Sequence, residues 1–254
     1  MKRSALEWWR YFSTLRRFER LVPERGTYFY QELEGVTTDR RAREEIIVDL
    51  CRDKDVLHFG FTDAPLTRER LAGGNLLHTR ILACARSAYG IDIDAKAMAI
   101  YHELTGDNRY SLLDIESDDV PVPPIDARVD VVLFGETLEH LRNPGMALAR
   151  LRALCATTPG CALVLTVPNA FSAMGFVAAS GGVEVVHPEH YAYYSPVTLR
   201  NLLAAHGFAD IRLTMCPYQD HGVVAPGVTQ DCVLATATVP AATAAPPRGA
   251  GSGP

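Results

Sequence analysis

Glu136, Glu139 and His140 stand at spacings of three and four residues, and on a helix that spacing gathers two carboxylates and an imidazole on one face. Such groups repel one another or compete for protons unless something cationic lies between them. A divalent metal would resolve the conflict. Further along the chain runs a second cluster, His187-Pro188-Glu189-His190 with Tyr191, Tyr193 and Tyr194 behind it. Three uses of the two clusters stay open at this level: ligation of a metal, a metal-free role for His140 or His190 as general base, and purely structural packing. His187 is the alternative fourth ligand or base.

Acidic residues also recur where a ligand would be held. Gly60 follows the apolar run Asp55–Phe59, Asp92 follows Ala88–Ile91, and Asp114 follows Asn108–Leu112. A glycine permits a tight turn and close backbone approach. A carboxylate at the second point can accept from both hydroxyls of a ribose, and one at the third can accept from an exocyclic adenine amine. Each aspartate taken alone has an ordinary reading as a turn or helix-capping residue. Together, at successive strand ends, they describe an adenosine pocket.

The elements that must position these residues are short β-branched runs alternating with helical stretches, the pattern of a parallel sheet covered on both faces. The remaining strands are expected at 129–134, 162–167, 211–216 and 232–238, and helices at 40–51, 66–85, 95–105, 145–156 and 196–206. The fold class is therefore α/β, a doubly wound and mostly parallel sheet of seven strands. Its last two strands have no helix between them, so they form an antiparallel pair at one end of the sheet.

Apolar residues make up 48% of the 254 and charged ones 22%, enough to build a full-sized core and to exclude global disorder. No apolar run is long enough to span a membrane and the N-terminus does not read as a secretory signal, so the protein is expected to be cytoplasmic. The six cysteines form no C-x-x-C pair, which suits reduced core thiols. A net charge of −5 argues against a nucleic-acid partner. Residues 1–40 are expected to form a helical lid, since Leu6, Trp9, Phe12 and Leu15 recur at near-helical spacing. Residues 41–239 form the main domain, and the Pro/Ala/Gly-rich stretch 240–254 a disordered tail.

The segments FGFTDAP, GIDID, LLDIE, FGETLEHLRNPG, LTVPN and YYSPVTLRNLLAAHGF resemble, in that order, the class I S-adenosylmethionine-dependent methyltransferases, from about residue 55 to 238. The resemblance implies a Rossmann-like fold with S-adenosylmethionine as cofactor. Gly60 would lie under its methionine part, Asp92 at the ribose, Asp114 at the adenine, and Gly135 with Glu136 near the sulfonium, while Phe59, Phe61, Ile93 and Ile115 flank those contacts. Asp63-Ala64-Pro65 replaces the later glycines of the family's loop, which hands part of the contact to Asp63 or His78. The missing G-x-G-x-x-G speaks against a nicotinamide cofactor.

E-x-x-E-H with a later histidine-aromatic run further resembles the metal-assisted O-methyltransferases. That likeness makes Glu136, Glu139, His140 and His190 the ligands of Mg²⁺ or another divalent metal, and Glu139, His140 and His190 the catalytic groups. The expected acceptor is a hydroxyl of a small polar metabolite, sugar or natural product. An amine acceptor, such as an amino-sugar, and a non-catalytic S-adenosylmethionine-binding protein are the alternatives; a homo-oligomer is compatible with the sequence.

Overall fold

The computed structural model describes residues 33–117, 128–218 and 227–240. The expected helical lid before residue 33 and the tail beyond residue 240 lie outside the described residues. Eight strands form a single sheet: β1 (Val36–Thr38), β2 (Asp55–Phe59), β3 (Ser87–Asp92), β4 (Tyr110–Leu112), β5 (Val131–Gly135), β6 (Ala162–Pro168), β7 (Ala209–Cys216) and β8 (Cys232–Thr238). Their order is β1-β7-β8-β6-β5-β2-β3-β4, and β8 alone runs antiparallel to its neighbours β6 and β7. From β2 the chain winds outward through β3 and β4, then returns to lay β5 and β6 on the other side. The order therefore reverses between β2 and β5, the point where an open parallel sheet offers a crevice beyond its carboxyl ends.

The doubly wound, mostly parallel sheet is as the sequence predicts, with two differences. The antiparallel pair does not sit at the end of the sheet: β8 is inserted between β6 and β7, and β1 closes the edge by pairing in parallel with β7. Residues 36–38, expected within a helical lid, supply that eighth strand, their β-branched Val-Thr-Thr suiting an extended edge.

Burial follows from alternation along the central strands. Val132 and Phe134 of β5 join Leu57, Phe59, Leu163 and Leu165 in one core, against α5 (Pro144–Ala156) and α7 (Pro196–Ala205). Val131 and Leu133 point the other way into a second core beneath α1 (Arg43–Cys51). Each helix starts where its sequence provides a cap. The Asp94 carboxylate accepts from the amides of Lys96 and Ala97 to open α4 (Ala95–Thr105), Asn143 precedes Pro144 in α5, and Ser195 forms a capping box with Thr198 in α7. The expected helix over 66–85 is two short ones, α2 (Thr67–Ala72) and α3 (Leu77–Leu82). Gly73-Gly74 breaks it, Gly74 taking a φ of +67°. Residues 173–180 form α6 (Ala173–Ser180) with no buried side chain.

Candidate active site

Four strand ends meet at the switch point. Gly60, just past β2, has φ +70°, and a Cβ there would stand 3.0 Å from Thr137 Oγ1, so glycine alone lets the loop after β2 lie against the loop after β5. Gly60 N–H donates to Ile91 O at 2.8 Å, joining the same loop to β3. Asp92 at the tip of β3 ties the arrangement together. Its Oδ2 accepts from Thr62 N at 3.0 Å and from Thr62 Oγ1 at 2.7 Å, and its Oδ1 accepts from Asp94 N at 3.0 Å. Three of roughly four acceptor positions on the carboxylate are thus used within the protein, which fixes the orientation of the one left.

Beside Asp92, Ile93 is 66% exposed, and Leu112 at the end of β4 is 58% exposed. Two large apolar side chains left open at adjacent strand tips can pack against a flat ring. Asp114 Oδ1 accepts from Glu116 N at 2.8 Å and so shapes the turn after β4, while Ile115 is buried in the main core.

Other expected cofactor residues are placed elsewhere. Phe59 is a core residue packed edge-on to Phe134. Phe61 and His78 are enclosed in an aromatic cluster with Tyr101, in which His78 Nδ1 faces His58 Nδ1 at 3.2 Å. Phe61 is 1% and His78 0% exposed, so both rings pack inside the protein, where His78 supports the loop from below. Asp63, at φ +54°, is ion-paired to Arg70 at 2.8 Å, so its carboxylate serves the loop as well. Glycine at position 90 has the same cause, since a Cβ there would fall 2.6 Å from the Phe61 ring.

The Glu/His cluster differs from the helical face that its spacing predicts. Glu136 has φ +47° and donates its amide to Thr166 O. Only Leu138–His140 winds into a short 3₁₀ turn. The break turns the Glu136 side chain aside, where Oε1 meets Arg43 at 3.2 Å and Oε2 accepts from the Tyr218 hydroxyl. Arg43 also lies 5.1 Å over the Tyr218 ring. Burial is the largest influence on Arg43 and works against its charge, but Glu136 together with Cys232, Tyr218 and Glu44 outweighs it and raises the pKa; Tyr218 is pushed up by burial and by the Glu136 carboxylate.

Glu139 is 0% exposed and neither of its carboxyl oxygens has a hydrogen-bond partner. Burial first, and then the negative charge of Glu136, push its pKa up to about 9. Its Oε1 lies 3.9 Å from His190 Nε2. The segment carrying His190 docks on the turn through Tyr191 N–H, which donates to Glu139 O at 2.8 Å. His140, His187 and His190 converge there, with ligand atoms all within 4.8 Å of one another. Burial lowers the pKa of His140, helped by His187, and lowers that of His190, helped by His140 and His187, so these two rings are neutral at physiological pH. Sequence reasoning found the carboxylates and histidines but missed Arg43 and Thr62, whose roles come from contacts made only after folding and leave no spacing signal.

Gly60 and Asp92 at strand tips beside the switch point, with the Glu/His cluster just after β5, are the arrangement expected of a class I S-adenosylmethionine-dependent methyltransferase. The comparisons agree: residues 68–213 match the family described as "Methyltransferase domain", and the chain belongs to that family. Among solved structures, the small RNA methyltransferase HEN1 is similar at 14% identity and a TM-score of 0.54, over 80% of this chain and 26% of that one. A SAM-dependent methyltransferase from Aquifex aeolicus aligns at 16% identity and a TM-score of 0.51, over 77% of this chain and 89% of that one. The CMeT domain of the citrinin polyketide synthase aligns at 15% and 0.50, over 74% and 47% of the two chains. These likenesses show the fold. No curated protein matches the sequence at a significant level. Among the described residues no helix is long and apolar enough to cross a membrane.

Proposed function

We propose that the enzyme methylates a hydroxyl of a small polar metabolite, sugar or natural product, with Glu139, His140 and His190 acting on the acceptor and a divalent cation assisting. S-adenosylmethionine supplies the methyl group; as the acceptor oxygen forms its bond to carbon, the bond from carbon to sulfur breaks and the hydroxyl proton must leave. His140 and His190, neutral because they are buried beside one another, are suited to take that proton. Asp92 would accept from the ribose, with Ile93 and Leu112 against the adenine and Gly60 beneath the methionine part. Gly135 and Glu136 would border the sulfonium, and the free face of Asp114 the adenine amine.

The observation that carries the reading is the buried carboxyl of Glu139, unpartnered and 3.9 Å from His190. A group left in that state costs about 1–3 kcal/mol, and it sits where a reacting proton or a cation would be handled. The residues fit a divalent ion, since a positive charge would satisfy Glu139 without a hydrogen bond. Calorimetry with S-adenosylhomocysteine, followed by methyl transfer to a panel of hydroxylated and aminated acceptors, tests the proposal. Transfer to hydroxyls is expected. Absence of S-adenosylhomocysteine binding would remove the enzymatic reading altogether, and transfer confined to amines would replace O- by N-methylation.

A further inference from the structure

We propose that His140, His187, His190 and Glu139 form a nitrogen-rich metal centre that takes a divalent ion of the manganese-to-zinc series in preference to magnesium, with Glu136 outside the donor set. This rests on the methyltransferase reading of the same cluster but gives the imidazole lone pairs to the ion, which would then lower the acceptor hydroxyl's pKa in place of a histidine base. Three independent features point to it. The three imidazoles already face a common point, their ligand atoms within 4.8 Å of one another. Around an ion bound at about 2.0–2.1 Å they would stand about 3.4 Å apart in a tetrahedron, a contraction that side-chain rotation supplies. Two buried polar groups there are unpartnered: the carboxyl oxygens of Glu139 and His190 Nδ1. Finally, the backbone ties the two halves of the site, through Tyr191 N–H to Glu139 O at 2.8 Å and His190 N–H to His187 O at 3.0 Å.

Glu136 is the residue that the E-x-x-E-H spacing would enlist, yet its two oxygens are held by Arg43 and by the Tyr218 hydroxyl. Charge-assisted bonds of that kind are among the stronger ones in proteins, and its positive φ sets the side chain toward them. His187 takes its place. The ring accepts only a long bond, 3.3 Å from Glu189 N–H to Nδ1, which a coordinate bond can displace. Exchanging one carboxylate for one imidazole changes the ion that is preferred, because magnesium demands oxygen ligands and keeps its waters, whereas imidazole suits the later first-row ions.

The test uses the full chain, stripped with a chelator and titrated separately with Zn²⁺, Mn²⁺, Co²⁺ and Mg²⁺ by calorimetry, with the visible absorption of bound Co²⁺ reporting the ligand field. Zn²⁺ or Co²⁺ should bind at least about 100-fold more tightly than Mg²⁺. His187→Ala, an exposed position whose thermal midpoint should not move, should weaken binding by about 10-fold or more and alter the Co²⁺ spectrum. Glu136→Gln should leave affinity within about 2-fold, a margin far below that loss. Mg²⁺ binding as tightly as Zn²⁺, or loss of affinity in Glu136→Gln with none in His187→Ala, would overturn the donor set. S-adenosylhomocysteine binding in the same samples separates the two failures: cofactor binding with no metal uptake defeats only this inference, and metal uptake without cofactor binding defeats the methyltransferase reading instead.

Discussion

Acidification should loosen this enzyme from beneath its cofactor loop, through His58 and His78. Both rings are buried, and they share one hydrogen between Nδ1 atoms 3.2 Å apart, an arrangement that is lost once both rings are doubly protonated. Burial lowers the pKa of His78 from 6.5 to about 4; Asp107 opposes that shift and Arg109 adds to it. His58 is lowered well below its usual value by burial, by His78 and by Arg43. Because the folded rings resist the proton, the unfolded chain binds more protons below pH 6.5, so stability is complete above that pH and drains away as pH falls toward 4. Each pH unit of that interval is worth about 1.4 kcal/mol per histidine, so His78 alone accounts for a loss of about 3 kcal/mol by pH 4. Tyr101, packed on the same ring, does not titrate in this range, and Asp107 is held down at about pKa 2 and stays ionised through it. Urea unfolding of the wild type and His78→Phe at half-unit intervals from pH 7 to 4 measures the difference. The variant sacrifices the His58 bond at neutral pH, about 1–3 kcal/mol, but its curve should flatten, so that the two proteins converge on acidification. Curves that stay parallel across the whole interval would refute the reasoning.

Gly90→Ala should cost about 1–3 kcal/mol in urea unfolding, because the new Cβ would overlap the Phe61 ring at 2.6 Å inside a packed cluster; an unchanged midpoint would show that the ring can yield. Thr62→Val removes one of the three bonds that aim Asp92. A loss of about 1.5–3 kcal/mol, the usual worth of a bond to a charged group, is expected in S-adenosylhomocysteine affinity by calorimetry, with most of the chain's stability retained. Glu139→Gln keeps the shape of the buried side chain and removes its ability to ionise. Turnover should fall by about 10²-fold or more while S-adenosylhomocysteine affinity changes little, and an equal fall in both would make Glu139 a packing residue.

Much of the sheet was legible because strands buried on both faces must be continuous apolar runs, and β2, β5, β6 and β8 are. The helix starts expected at 95, 145 and 196 fall at or within one residue of those of α4, α5 and α7, which Asp94, Asn143 and Ser195 cap. Edges were harder. β1 is three residues stabilised by β7 rather than by its own pattern, and nothing local says that β8 slips between β6 and β7. In the site, Asp92 was readable as a strand-tip acid, but its bonds to Thr62 join residues thirty apart, and the pairing of Arg43 with Glu136 joins the start of α1 to the residue after β5. A histidine near such a loop carries the same letter whether it faces a ligand or lies under the loop, and only the fold shows that His78 is fully buried.

Glu136 and Glu139 show most clearly how one torsion decides chemistry. Regular helix from residue 136 onward would have put both carboxylates beside the imidazoles, each diluting the other's claim on a proton or a cation. The left-handed backbone at Glu136 instead gives that carboxylate to Arg43 and Tyr218, while Glu139 keeps a dry position against His190. Environments that diverge in this way between neighbouring titratable groups are how a fold assigns them separate tasks. The partnered acid secures the wall between α1 and the end of β5, and the unpartnered one is left available to the reaction. A non-glycine φ of this kind costs about 1–3 kcal/mol and persists only when its surroundings enforce it. Here Arg43, Tyr218 and the hydrogen bond that the Glu136 N–H donates to Thr166 O do so. Relaxing that residue would therefore be expected to blur the division of labour before it disturbed the fold.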